Sequence, residues 1–418
     1  VTATATVQDK FGTAYQSRSS SRTPINKEQA QVKDKNYQFT LLRRKVTALF
    51  AAPLVVLCLF SIPSSVAAAQ SQTAGLGNAV VHTAFGGFIL GYDIDRTGTE
   101  GLLAESNGGS QVAVETFDQA TGKILKVVTQ QKGTNNDFVV FGIFGNSVGL
   151  VEEELSSGEF VSKRVYGVMN PLDGNKFTGK WTPPFTKDDI VREMATSQGS
   201  PTTPVLYFDN TGNDFSSLLI ATDVAANKFG TPFTIPDTVF DWDNSPVMAY
   251  DTETNQAVLG GSLGCFGCST EIGLVNLADN KFSEFPGLGF GFINGIAVDS
   301  STGIACTTTE DDFSVEFYNL ATQTGFIEPL QGATNQANSG GDVEFDPIHK
   351  LFLIGQEFSS VARSGSSILV YDEKGNFIEA VNGLSLPASP AYMALHPSKR
   401  AGYVIVTPGL NELQSFTY

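Results

Sequence analysis

The sequence predicts an all-β fold made of repeated antiparallel hairpins, and three observations carry that expectation. The first is a phrase that returns along the 418-residue chain: an apolar alternation, then Asp, Asn or His, then a polar turn, then another apolar run. It stands at Tyr92-Asp93, Phe117-Asp118, Met169-Asn170, Phe208-Asp209, Thr222-Asp223, Tyr250-Asp251, Val275-Asn276, Val298-Asp299, Tyr318-Asn319, Phe345-Asp346, Tyr371-Asp372 and Leu395-His396. Turn formers follow, as in Gln119-Ala120-Thr121-Gly122-Lys123 and Glu373-Lys374-Gly375-Asn376, which reads as strand, turn, strand. The second is a period. The third is composition: 31 Phe, 42 Gly and only 2 Trp suit strands that carry medium apolar side chains on both faces.

The period comes from two alternating kinds of turn. One kind has its polar residue at Asp93, Asn146, Asp209, Asp251, Asp299, Asp346 and His396, the other at Asp118, Asn170, Asp223, Asn276, Asn319 and Asp372. Within each kind the spacing is mostly 42 to 53 residues. Two hairpins per period make four strands, the size of one blade of a β-propeller. There are seven turns of the first kind and six of the second, so the expected fold is a seven-bladed β-propeller of four-stranded antiparallel blades. The seventh blade runs out after three strands, at 391–395, 403–406 and 413–418. Its outer strand is expected from Asn78-Ala79-Val80-Val81-His82, which would close the ring and cover a sheet edge. The run Phe138-Val139-Val140-Phe141-Gly142-Ile143-Phe144 reads as a strand buried on both sides. A β-sandwich or a solenoid is the competing arrangement for such repeats.

Ahead of the repeats, residues 1–36 are rich in Ser, Thr, Gln and Lys without apolar periodicity, and read as a disordered extension. Residues 37–69 read as a secretory signal peptide: Leu41-Leu42-Arg43-Arg44-Lys45, an apolar run over 46–62, then Ser64-Ser65-Val66-Ala67-Ala68-Ala69-Gln70. That run is interrupted by Pro53 and falls short of the roughly 20 residues of a spanning helix, so no stable membrane span is expected after cleavage at Ala69. Lys45-Val46-Thr47 fit a twin-arginine signal poorly, and Cys58 lacks the small residue before it that a lipoprotein signal wants. The periplasm, the medium and the cell surface all remain open as destinations. Residues 70–77 form a short linker, and 78–418 the propeller. Formal net charge is −17; the first 69 residues hold nine Lys or Arg and three Asp or Glu, which leaves 17 basic and 40 acidic residues, a net of −23. Such a surface repels nucleic acid and anionic lipid, keeps a monomer soluble and admits cations or basic partners.

Two segments resemble a known family. Tyr403-Val404-Ile405-Val406-Thr407-Pro408-Gly409-Leu410-Asn411-Glu412-Leu413 resembles the strand–loop–strand phrase of the YVTN-repeat propellers, and Val315-Glu316-Phe317-Tyr318-Asn319-Leu320-Ala321-Thr322-Gln323-Thr324-Gly325 their next hairpin. With the other copies the resemblance covers about residues 78–418. It implies blade architecture, in a group that includes lactonase-like enzymes beside exported binding and surface proteins. No lactonase-specific motif stands in this sequence.

Fold analogy places propeller ligands at the mouth of the central channel. Residues at the start of the innermost strands face it: Asp243-Asn244, Asn294 and Asp342, beside Trp242 in the preceding loop. Loops between second and third strands add Glu152-Glu153-Glu154, Glu310-Asp311-Asp312, Glu357 and Glu412. Hard oxygen donors from several loops suit Ca²⁺ or another hard divalent cation; solvated acidic loops are the plainer reading, and no Asp-x-Asp-x-Asp-Gly loop is present. Cys265-Phe266-Gly267-Cys268 in an exported chain reads as a local disulfide, with pairing to Cys306, redox chemistry or a metal as alternatives. The three His, at 82, 349 and 396, are far apart, and neither Gly-x-Ser-x-Gly nor His-Glu-x-x-His occurs, so no catalytic residue is assigned. The reading is an exported binding or interaction module for a small molecule or a protein at the channel face. The alternative is a lactonase-like hydrolase with a divalent cation polarising a carbonyl.

Overall fold

Strand after strand in this chain is apolar at consecutive positions, so both faces of each strand must be covered. The computed structural model meets that need by stacking sheets on one another. It describes residues 79–107, 111–132, 137–144, 148–157, 160–169, 178–181, 189–195, 205–210, 217–223, 228–235, 247–262, 269–291, 293–309, 314–330, 340–356, 368–381, 388–406 and 412–418.

After β1 (Val80–His82) the first sheet is β2 (Phe88–Ile94), β3 (Glu100–Ser106), β4 (Gln111–Asp118) and β5 (Ile124–Lys132). The second is β6 (Asp137–Phe144), β7 (Val148–Ser157), β8 (Phe160–Met169) and β9 (Thr178–Trp181). In the third, β10 (Asp189–Ala195), β11 (Val205–Asn210) and β12 (Ser217–Asp223) are followed by β13 (Lys228–Phe229) and β14 (Phe233–Thr234), both paired with β12. The fourth is β15 (Val247–Asp251), β16 (Gln256–Ser262), β17 (Ser269–Asn276) and β18 (Lys281–Phe290). The fifth is β19 (Ile293–Asp299), β20 (Ile304–Thr309), β21 (Ser314–Asn319) and β22 (Thr324–Pro329). The sixth is β23 (Gly340–Asp346), β24 (Leu351–Gln356), β25 (Ile368–Asp372) and β26 (Phe377–Val381). The last three strands, β27 (Ala388–His396), β28 (Ala401–Val406) and β29 (Glu412–Thr417), take β1 as their fourth. Among the described residues the fold is all-β, in seven antiparallel sheets, six of four strands and one of five.

The strand expected beside the C-terminal strand is there. Val80 faces Gln414, Val81 faces Leu413 and His82 faces Glu412. The Ser415 amide donates to the Ala79 carbonyl at 2.9 Å, and the Ala79 amide to Ser415 Oγ at 2.8 Å.

The core lies between sheets. Neighbouring residues of one strand serve different interfaces: Ala257 and Leu259 of β16 pack with Leu219 and Met248, whereas Val258 packs with Ile296 and Ala305 of the fifth sheet. Cys306 turns from Ala305's neighbours to Phe345 and Phe352 of the sixth. Leu353 and Val370 meet Leu395 and Val404 of the seventh, and Tyr403 and Leu413 meet Tyr92 and Phe117 of the first. First strands of successive sheets lie against each other, β15 on β19, β19 on β23, β23 on β27, and β27 on β2.

The recurring Asp and Asn are turn formers. Asp299 Oδ1 accepts the Ser301 amide at 3.0 Å, Asp346 Oδ1 the Ile348 amide at 2.8 Å, and Asp118 Oδ1 the Thr121 amide at 2.8 Å. The residue before several returning strands is left-handed: Asn255, Asn280, Gln323 and Lys350 have φ of 53–59°, and Gly303 fills the same role at 67°. In the first sheet the phrase is offset. Asp93 stays inside β2, and Asp95 accepts the Thr97 amide instead.

Turns of adjacent sheets are tied to each other. The Thr252 amide donates to Ser300 Oγ at 2.9 Å, Lys350 Nζ to Asp299 Oδ1 at 3.0 Å and the Tyr418 hydroxyl to Asp346 Oδ2 at 2.7 Å. His396 Nε2 meets the Gly98 carbonyl at 3.3 Å, joining the seventh sheet to the first. Burial, then Lys399, holds the His396 imidazole below its usual range, which keeps it neutral, with one ring N–H to donate. Among the described residues no helix is long and apolar enough to cross a membrane.

Candidate functional site

Charged side chains in an otherwise apolar first strand are the residues to follow inward. On β23 Asp342 and Glu344 are two apart and so share a face, while Val343 and Phe345 between and beyond them are buried in the core. Asp342 Oδ2 accepts the Met393 amide of β27 at 2.7 Å, which bridges the sixth and seventh sheets. Glu344 Oε2 is 3.7 Å from Arg96 Nη2, which reaches it from the turn after β2. Tyr92 and Asp93 of β2 complete the group; the Tyr92 hydroxyl donates to the Tyr403 carbonyl at 3.0 Å.

Burial pushes the Glu344 carboxyl up to about 8; Arg96 opposes the shift, and the charges of Asp342 and Asp93 add to it. Burial, then Asp342, Asp93 and Glu344, likewise raise Tyr92 well above the usual phenol range. At neutral pH Glu344 therefore keeps its proton, and a positive charge brought to this place would release it. The carboxyls do not form a cage: among the described residues no three His, Cys, Asp or Glu are grouped to hold a metal ion.

Of the residues singled out by sequence, Asn294 and Asp342 come to one junction. A Cβ on Gly295 would meet the Gly341 carbonyl and the Val343 amide nitrogen at 2.6 Å, so β19 and β23 touch backbone to backbone beside both residues. The expected partners Asp243, Trp242 and Glu357 lie outside the described residues, as do Cys265, Cys268 and Glu310-Asp311-Asp312. Glu152-Glu153-Glu154 belong to strand β7 and not to a loop, each paired with β6 on one side and β8 on the other, and Glu412 opens β29. Cys306 is a free, buried thiol; burial, then the Glu316 charge, raises it far out of the reactive range. His349 Nδ1 contacts Asp346 Oδ2 at 2.7 Å, within the turn that Asp346 forms, and His82 Nδ1 lies 3.1 Å from Glu412 on the surface.

Sequence reading passed over Arg96, Glu344 and Tyr92 and took Asp93 for a turn residue. The available signal was Asp342-Val343-Glu344, acid at alternate positions of a first strand. Comparison with known protein families and with curated proteins gives no match to this chain.

Proposed function

We propose that the chain is an exported seven-bladed β-propeller of the YVTN-repeat kind, working as a binding module for a ligand with a positively charged group. Export rests on the segment at 37–69. Support for the propeller comes from the seven sheets, from β27 lying on β2 as β19 lies on β23, and from the His396 contact with Gly98. In a propeller, first strands line the central channel, so Asp93, Asp342, Glu344 and Arg96 become its charged lining.

The observation that carries the binding reading is the Arg96–Glu344 approach beside Asp93 and Asp342, three charged groups from two sheets around the half-buried carboxyl of Glu344. A cationic ligand replaces the Glu344 proton and competes with Arg96 for the carboxylates. Its binding raises stability by mass action, about 2.7 kcal/mol at a hundred times the dissociation constant. The test is thermal unfolding with calcium chloride and with putrescine, each against sodium chloride of equal ionic strength, at pH 6 and pH 9. A rise in Tm beyond sodium's, larger at pH 9 and lost in Asp342→Asn, is expected. That variant keeps the acceptor for the Met393 amide and removes only the charge. A rise that sodium reproduces means screening of an acidic surface and ends this reading.

A further inference from the structure

The link from β1 to β2 ends on two buried carboxyl groups. Glu105 of β3 and Glu115 of β4 stand on paired strands, Glu105 opposite Ala113 and Glu115 opposite Leu103. They are 1% and 0% exposed. Both reach residues 84–87. Glu115 Oε2 accepts the Ala84 amide at 3.1 Å; Glu105 accepts the Phe85 amide at 3.0 Å and the Gly87 amide at 2.9 Å. A Cβ on Gly87 would lie 2.8 Å from the Ser106 carbonyl and 3.0 Å from Glu105 Oε2, so this close approach needs glycine. The link is braced within itself by the Thr83 hydroxyl, which donates to the Gly87 carbonyl at 3.1 Å. It follows β1 directly, so whatever holds it also holds the strand that pairs with β29.

Two ionised carboxylates share a buried site only at high cost. Glu115 Oε1 is buried and meets no donor, and Glu105, diagonal to it on the paired strand and itself buried, bears on it with its charge. A proton on Glu115 resolves this: its O–H donates to the Glu105 carboxylate, which still accepts two backbone amides. Burial first, then the Glu105 charge, push the Glu115 carboxyl up to about 8. Other titratable residues on the elements packed around the pair are His82 on β1, Tyr92 and Asp93 on β2, Lys126 and Lys132 on β5, and Asp137 on β6. Glu100 and Asp118 pair at the opposite end of β3 and β4.

We propose that the β1–β2 link is a proton-held clasp, closed while Glu105 and Glu115 share one proton and released when that proton leaves. In the open link the Glu115 carboxyl moves back toward the ordinary carboxylate value, whereas closed it titrates at about 8. Between those values the open form gives up a proton that the closed form keeps. Opening therefore becomes easier by about tenfold per pH unit across that window, and levels off above it.

Amide hydrogen exchange on the full chain from pH 5 to 9, corrected for intrinsic exchange rates, reads the clasp at Ala84, Phe85 and Gly87. The Gln119 amide, bonded to the Thr99 carbonyl at 2.8 Å in the same sheet, serves as control. Protection at 84–87 is expected to fall about tenfold per unit up to about pH 8 while Gln119 stays level. Glu115→Gln, whose amide donates to Glu105 and whose carbonyl accepts from Ala84, should remain closed and flat. Flat protection in the unmodified chain overturns the clasp even if the variant does not fold. So does a slope that persists in Glu115→Gln, or a Gln119 amide that falls in step.

Discussion

Glu115 in the first sheet and Glu316 in the fifth hold the same register, each three residues before the Asp or Asn of the turn that follows, and both are fully buried. Their surroundings differ in kind. Glu316 Oε2 receives the Thr307 hydroxyl at 2.9 Å and the Tyr318 hydroxyl at 2.5 Å, and Tyr318 in turn accepts the Leu288 amide at 2.7 Å. The first sheet has Leu103 where the fifth has Thr307, and Phe117 where it has Tyr318. Without those hydroxyls Glu115 takes a backbone amide from the β1–β2 link and a second carboxyl as neighbour. A buried acid thus needs either donors from its own sheet or a proton and an incoming segment. The first choice stiffens a sheet, and the second couples a sheet to the chain segment that enters it.

The comparison breaks first at Glu316. Glu316→Ala leaves the Thr307 and Tyr318 hydroxyls without this acceptor in a buried site and opens a void, and should cost about 3 kcal/mol or more in denaturant unfolding. A loss under about 1 kcal/mol would mean that the hydroxyls find other partners and that the two sheets differ less than their geometry says. Glu115→Ala should cost less, about 1–2 kcal/mol at pH 5, because Ala84 is exposed and water can take its amide. By pH 8 that cost should vanish and turn into a gain, since the unmodified chain then carries the penalty of a buried carboxylate that the variant lacks. Equal losses at the two pH values would remove the proton from the account of the first sheet. The smallest effect belongs to the ties between turns. Burial works against ionised Asp299, but hydrogen bonds from Ser301, Lys350 and Thr302 prevail and hold its carboxyl below the usual range. That stability is present above the ordinary carboxylate value and lost as pH falls through the lowered one. Lys350 is 39% exposed, so Lys350→Met should cost under about 1 kcal/mol at pH 7 and nothing measurable in strong acid.

Hairpins were legible in this chain because their turns are local chemistry: a side-chain carboxylate at Asp118, Asp299 or Asp346 binds an amide two or three residues on, and that needs no distant partner. The strand near residue 80 was legible by counting, since a three-stranded last unit leaves an edge open. Arg96 beside Glu344 was not, because nothing near Arg96 in sequence announces which first strand will face it across the fold. The carboxyls at 105 and 115 were equally hidden. In a strand an acid at an alternate position usually points to water, and only the backbone of residues 84–87 folding over these two turns them into interior groups. Asn294 and Asp342 were placed by the start of their strands, and the shared junction at Gly295 follows from that register.

The bond between Ala79 and Ser415 spans 336 residues, whereas each hairpin closes over a handful. A chain that emerges N-terminus first can complete its early sheets as it lengthens, but β1 has no strand to pair with until β29 arrives. Pairing across so wide a separation is expected to make the last sheet form late in folding. Until then β28 and β29, if formed, show an open edge to other chains, and β1 is a free strand able to fill it. Two nascent molecules could satisfy each other in this way, so the yield of monomer should depend on how dilute the chain is while it folds.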